Sequence, residues 1–395
     1  MLWIGLAFAN TPLLLEDQAV AGDGDDAFGH ELLVYDINDD GLEELVVGAV
    51  DGEGTATVYR QVDFEPLKTI TGDPGGELGW ALAGSPRGLL VGAPTMAELR
   101  LYDHDLKLAW TFTGGSGSRA GSGAAWVQGQ SEGWVVVGLP GSDEVLLLDP
   151  DTGDEVGSLV GTRDGQDFGA RLQACDTDGD GQDELWIAEP GEGDEGYIYV
   201  ALAGAIGNAS RALTGPEGFG ESLACGDFDG DGVDDLAVGG EGALLHFESL
   251  GEQLSLDSGV AVASVPDLDD DGSDELLLGQ ADQSRAVLVM GGASCCEEAL
   301  ELGPIAVSGI LQGYGTSVAA GDFEGDGFVE LVVSAPSYAG RGGDSHVFVH
   351  VVDYEKTIED PRCSCRSAED SAAALIVVAL LALVRRRRRW VGPAL

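Results

Sequence analysis

The chain has 395 residues, 44% of them hydrophobic, and carries 70 acidic against 19 basic residues, a formal net charge of −51. The apolar content supports a packed core and excludes wholesale disorder; the charge repels nucleic acid and anionic membrane and makes a cation the natural counter-charge. Glycine, at 62 residues, points to many tight turns rather than long helices.

In chain order, segment 1–9 reads first as a signal peptide. Leu2–Ala9 is a short apolar run ending in Ala7-Phe8-Ala9, an A-x-A cleavage pattern, although no basic residue precedes it. A buried first strand is the competing reading. Residues 10–358 then show internal repetition. Phe28-Gly29…Asp36, Phe168-Gly169…Asp176, Phe219-Gly220…Asp227 and Tyr314-Gly315…Asp322 align without gaps, the glycine seven positions before the aspartate. Gly259…Asp267 is one residue longer, and two further copies begin near Leu78-Gly79-Trp80 and Gly121–Gly123. The mean period, about 48 residues, is that of a propeller blade.

Each copy holds short apolar runs between Gly/Asp/Pro clusters, such as Leu45-Val46-Val47-Gly48-Ala49, Thr55-Ala56-Thr57-Val58-Tyr59 and Leu67-Lys68-Thr69-Ile70. These are strands. Four per repeat predict an all-β, seven-bladed β-propeller of four-stranded antiparallel blades, its edges shielded by repetition. Pro12-Leu13-Leu14-Leu15 echoes Pro66-Leu67-Lys68-Thr69-Ile70, so Leu13–Leu15 is expected to close the last blade. Lys356-Thr357-Ile358 is its rival for that place.

Five loops follow the pattern D-x-[DNE]-x-D-G-x-x-[DE]. They are Asp36/Asn38/Asp40/Glu44, Asp176/Asp178/Asp180/Glu184, Asp227/Asp229/Asp231/Asp235, Asp267/Asp269/Asp271/Glu275 and Asp322/Glu324/Asp326/Glu330. Oxygens at positions one, three and five converge when the backbone curls at the glycine in position six, and such hard donors suit Ca²⁺. About five Ca²⁺ sites are therefore expected. An EF-hand needs Glu at position twelve, but Val47, Ile187, Val238, Leu278 and Val333 stand there. A solvated Asp/Gly turn explains one such loop, not five in register.

These elements resemble the FG-GAP repeat family, typified by the integrin α-subunit N-terminal propeller. Phe28-Gly29, Phe168-Gly169 and Phe219-Gly220 match the FG element; Gly48-Ala49-Val50 and Gly92-Ala93-Pro94 match GAP, with Ser334-Ala335-Pro336 close to it. The resemblance, over roughly residues 22–355, implies Ca²⁺ in inter-strand hairpins and extracellular recognition or adhesion. Repeats two and three depart from it: Ala83–Gly88 and Gln128–Gly133 lack the carboxylates at the patterned positions.

Of the six cysteines, Cys175 and Cys225 either bridge neighbouring blades or are buried thiols. A linker, 359–370, holds Cys363 and Cys365. Segment 371–395 contains thirteen uninterrupted apolar residues, Ala372–Val384, then Arg385–Arg389, and predicts a short C-terminal helix. The arrangement is similar to myxobacterial C-terminal sorting tails, which implies anchoring near the Cys pair; a single-span anchor is the alternative. Both place the propeller on the surface or outer membrane of a bacterium, and release after tail processing stays open.

No catalytic set emerges. Gly191-Glu192-Gly193-Asp194-Glu195-Gly196 fits G-x-G-x-x-G but precedes a strand, and its acids repel a pyrophosphate. The expected function is a recognition or adhesion module, monomeric, for extracellular protein or polysaccharide. A structural surface protein, or an extracellular propeller lyase or hydrolase, is the alternative. Meander topology puts the acidic loops on one face and the expected ligand residues Tyr338, Arg341, Arg119 and Arg163 on the other.

Overall fold

The computed structural model describes residues 13–353, apart from residues 23–26, 61–64, 130–132, 162–166, 192–194, 203–208, 241–243, 248–251, 256–260, 293–297, 304–312, 324, 326 and 337–344. The expected signal segment, the rival strand Lys356–Ile358, Cys363, Cys365 and the apolar tail lie outside these residues. Among the described residues no helix is long and apolar enough to cross a membrane.

The chain enters with β1 (Leu13–Ala21) and then builds four-stranded meanders. Blade one is β2 (Phe28–Tyr35), β3 (Glu44–Ala49), β4 (Thr55–Tyr59) and β5 (Pro66–Thr71). Blade two runs through β6 (Leu82–Ser85), β7 (Gly88–Ala93), β8 (Glu98–Tyr102) and β9 (Leu108–Thr113). Blade three is β10 (Ala124–Gln128), β11 (Gly133–Leu139), β12 (Glu144–Leu148) and β13 (Glu155–Val160). In blade four the strands are β14 (Arg171–Cys175), β15 (Glu184–Glu189), β16 (Gly196–Leu202) and β17 (Ser210–Gly215). Blade five contains β18 (Ser222–Gly226), β19 (Asp235–Gly239), β20 (Leu244–Phe247) and β21 (Glu252–Ser255). Blade six contains β22 (Ala261–Val265), β23 (Glu275–Gln280), β24 (Arg285–Val289) and β25 (Glu298–Leu302). Among the described residues, blade seven contributes β26 (Val318–Gly321), β27 (Val329–Ala335) and β28 (His346–Asp353) of its own.

Its fourth strand is β1, antiparallel to β28 from Leu13 opposite Asp353 to Ala21 opposite His346. The sequence echo at Leu13–Leu15 therefore marks the closing strand. Both ends of the ring are locked into one sheet.

The second strand of a blade is covered on both faces by neighbours, so it reads as an unbroken apolar run. β3, β7, β15, β19, β23 and β27 are buried along their whole length. Outer strands such as β5 and β9 are mostly exposed. The core is accordingly seven apolar clusters, each shared by two adjacent blades. Val46 and Val58 of blade one meet Leu89 and Val91 of blade two, for example.

Phe28, Phe168, Phe219 and Tyr314 enter these junctions as buried rings. Tyr314 tolerates burial because its hydroxyl meets His350 Nε2 at 2.8 Å. The glycine that follows the ring takes φ near +90°, as at Gly169 (+90°) and Gly220 (+97°), a conformation open to glycine at little cost. The N–H groups of these glycines donate to Ala188 and Gly239 at the end of the second strand. The FG element is thus tied to the end of the second strand of its own blade.

Cys175 of β14 and Cys225 of β18 form a disulfide, Cα–Cα 6.2 Å, joining blades four and five. Such a bond belongs to an oxidising compartment and points to an extracellular protein.

Ring closure generates the first prediction. A variant lacking residues 10–21 should melt several degrees below the parent, since each kcal/mol lost shifts Tm by about 2–4 °C at this size. Calorimetry giving the same melting temperature would show that β1 is dispensable.

Candidate metal-binding loops

All five acidic loops are first-to-second strand hairpins, so they emerge on one face of the ring. Their carboxylates are first of all backbone acceptors. In blade five the N–H groups of Asp231 and Gly232 donate to Asp227, at 3.0 and 2.8 Å, and Val233 N–H donates to Asp231. Blades one, four and six repeat these bonds around Asp36, Asp176 and Asp267. The loop curls around its own position-one aspartate.

Position nine closes the hairpin. Glu44, Glu184, Asp235, Glu275 and Glu330 are only 1–4% exposed. Each accepts the N–H of position two: Ile37, Thr177, Phe228, Leu268 and Phe323, at 2.8–3.1 Å. One oxygen holds the backbone while the carboxylate stays among the loop acids. Burial first, and then the negative charges of Asp229, Asp231 and Asp227, push Asp235 up to about 8. Burial with Asp269, Asp267 and Asp271 pushes Glu275 up to about 9. Burial likewise raises Glu44 and Glu184.

Among the described residues, three loops gather oxygens closely enough to hold a metal ion such as Ca²⁺. Asp176, Asp178 and Glu184, then Asp227, Asp229 and Asp235, then Asp267, Asp269 and Asp271 each bring one oxygen per residue within 4.8 Å of the others. The donor set fits a hard cation: all oxygen, with crowded carboxyls forced towards protonation unless a positive charge joins them. Blade one differs. There the Asn38 amide turns its Nδ2 to Glu44 Oε1 at 2.5 Å, so its oxygen is directed elsewhere. In blade seven Asp322 and Glu330 make the standard backbone bonds, while Glu324 and Asp326 lie outside the described residues.

Blades two and three hold their hairpins by other means. Arg87 pairs with Asp151 at 2.8 Å, and the Trp126 ring covers Gly133. On the opposite face, Arg119 pairs with Asp167 at 3.0 Å. Arg163, Tyr338 and Arg341 lie outside the described residues.

Sequence reasoning missed two groups. One is the acid at position eight: Glu43, Asp183, Asp234 and Asp274, all raised by burial. Its signal was the acidic doublet before strand two, as in Asp183-Glu184. The other joins blades one, two and four. His30 lies against Trp80 with centroids 4.5 Å apart and the rings tilted by 44°, and burial with the charge of Arg171 lowers it to about 4. Arg171 donates to the carbonyls of Glu221, Ser122 and Ala170, gathering blades five, three and four. No local pattern marks residues that meet only around an axis.

Two segments match repeat models: residues 314–350 the FG-GAP repeat and residues 176–238 the FG-GAP-like repeat. Neither reaches the tail. The chain is also similar to a chain in the crystal structure of BBS1N in complex with ARL6DN, soaked with lead. The TM-score is 0.57 at 13% identity, over 88% of this chain and 98% of that one, a likeness of fold.

The raised carboxyls make a pH prediction. Asp235 and Glu275 sit above their ordinary values in the fold, near 8 and 9. From about pH 4 to those values the folded state keeps protons that the unfolded chain has released, so stability falls as pH rises. Metal-depleted protein should melt progressively lower from pH 5 to pH 9, and added calcium should flatten the decline. A depleted melt independent of pH would contradict this.

Proposed function

We propose that this seven-bladed propeller of FG-GAP repeats is an exported, calcium-binding recognition module whose acidic hairpins brace one face and leave the other for ligands. The observation that carries the reading is repetition. The same oxygen pattern recurs on blades four, five, six, seven and one, an unbroken arc of the ring, with position nine buried each time. Asp36, Asn38, Asp40 and Glu44, and their counterparts in the other four loops, would hold one Ca²⁺ each. In blade one the Asn38 amide would turn its oxygen inward. The ion supplies the positive charge that lets the buried carboxyls ionise.

Binding at the folded ring alone stabilises it by mass action, and extracellular sites of this kind work near ~10⁻⁴–10⁻³ M. Ligands are proposed to be protein or polysaccharide, met on loops of the second face. The disulfide supports export, and the apolar run with five arginines at 385–389 supports display at a bacterial surface. A catalytic role is not proposed. The polar group of His30 and Arg171 does bracing work: Arg171 is engaged by three carbonyls, and the ring of His30 packs against Trp80.

Metal analysis of the purified protein should find about five calcium ions, and chelation should lower Tm by many degrees. Asp178→Ala with Asp180→Ala should remove one ion. One ion or none in the parent would end the calcium reading. A glycan and matrix-protein screen, with and without calcium, tests recognition: binding that ignores calcium would separate the two halves of the proposal.

A further inference from the structure

Three position-eight acids reach back to the preceding blade, and Asp274 is hydrogen-bonded to the backbone of Asp267 in its own loop as well. Asp274 of blade six reaches back to Asp227, the first residue of the blade-five loop. Its Oδ2 accepts the Asp227 N–H at 3.2 Å, and its own N–H donates to the Asp227 carbonyl at 2.8 Å. Gly292 of blade six holds the next carbonyl, Phe228 O, at 2.9 Å. Asp183 of blade four grips Gln128 of blade three in the same two ways, at 2.6 and 2.9 Å. Glu43 of blade one accepts the Asp322 N–H of blade seven at 3.1 Å, across the point where the ring closes.

Position seven reinforces the contact. A Cβ on Gly230 would lie 2.6 Å from Ser273 Oγ, one on Gly179 3.1 Å from Val233, and one on Gly325 2.5 Å from Leu42. In each pair the glycine is position four of one loop and its neighbour is position seven of the next. Only glycine clears that side chain at positive φ. Where the next blade has the short hairpin Ser85-Pro86-Arg87-Gly88, position four is Asp39 instead. The series also breaks between blades six and seven. Position eight of blade seven is Val329, which offers no acceptor, and position four of blade six is Asp270.

We propose that the position-eight carboxylates Asp274 and Glu43 are positioning residues that couple neighbouring loops, so that calcium fills the hairpins of blades five and six, and those of blades seven and one, as two cooperative pairs. The inference rests on the calcium reading above. Asp274 and Glu43 each adjoin the position-nine ligand of their own loop and hold the backbone of the position-one ligand in the preceding loop. Ordering one hairpin therefore seats the first ligand of its neighbour, which is a coupling free energy between sites.

The test compares two changes of equal charge in the full chain, and the Hill coefficient separates lost coupling from the loss of Asp274's bond to Asp267 in its own loop. Asp274→Ala and Asp183→Ala each remove one negative charge beside a position-nine ligand. Only Asp274→Ala cuts a bond between two patterned acidic loops, because Asp183 holds the hairpin of blade three, which lacks the D-x-[DNE]-x-D-G pattern. Calcium titration by calorimetry should give the full ion count in both. Asp274→Ala should weaken binding about fivefold or more beyond Asp183→Ala and lower the Hill coefficient. Asp274→Asn, which keeps one acceptor oxygen, should recover most of the loss. If Asp274→Ala fails to fold, Asp274→Asn is compared with Asp183→Asn. Equal losses in the two variants overturn the coupling alone; a parent that binds no calcium overturns the calcium reading with it.

Discussion

A blade of this protein has two apolar faces and no way to bury either by itself. Every second strand is covered only because a neighbour stands on each side, and each apolar cluster belongs to two blades. The last junction, where Phe28, Leu45 and Val47 of blade one meet Val332, Val347 and Val349 of blade seven, is therefore a necessity rather than a convenience. An open ring would expose two complete faces, each worth tens of kcal/mol of lost burial at about 25 cal/mol per Å². The crossing of β1 into the sheet of β28 makes closure covalent in effect, since neither blade seven nor blade one can leave without tearing a shared sheet.

Within that constraint the two kinds of hairpin are alternative answers to one problem. A tight first-to-second strand turn leaves several backbone N–H groups pointing inward, and they need acceptors. In five blades the chain supplies carboxylates, which satisfy the N–H groups but crowd negative charge, as the raised Asp235 and Glu275 record. In blade two it shortens the turn, and in blade three the Trp126 ring covers Gly133 at the turn. Four of the seven tryptophans, Trp80, Trp110, Trp126 and Trp134, lie in those two blades. Trp110 donates to Pro150 O at 3.0 Å and so ties blade two to blade three.

Much of this was legible in sequence because it is local and periodic. Asp176 to Glu184 lie within nine residues, and the glycine ruler from Gly169 to Asp176 recurs unchanged. The closing strand was visible as an echo of β5, although β1 runs to Ala21 rather than Leu15. Cys175 and Cys225 stood equally well as thiols or as a bridge, and only the adjacency of β14 and β18 decides. Asp274 was hidden in plain sight: its partner Asp227 is 47 residues away, one full blade period. His30, Trp80 and Arg171 belong to three different repeats and meet only around the axis. Pattern reading finds what a repeat does to itself; it does not find what one repeat does to the next.

The position of β28 carries a mechanical consequence. It is an interior strand, bonded along its length to β27 on one side and β1 on the other. Tension applied to the chain beyond Asp353 and directed along the strand meets both ladders at once. The hydrogen bonds then bear the load in parallel, as in a lap joint, instead of parting one after another as in a zip. With β1 stripped away, the same tension would fall on a single ladder at a free margin. An outermost strand borrowed from the other end of the chain thus turns the weakest place of a ring, its seam, into the place best suited to withstand pulling.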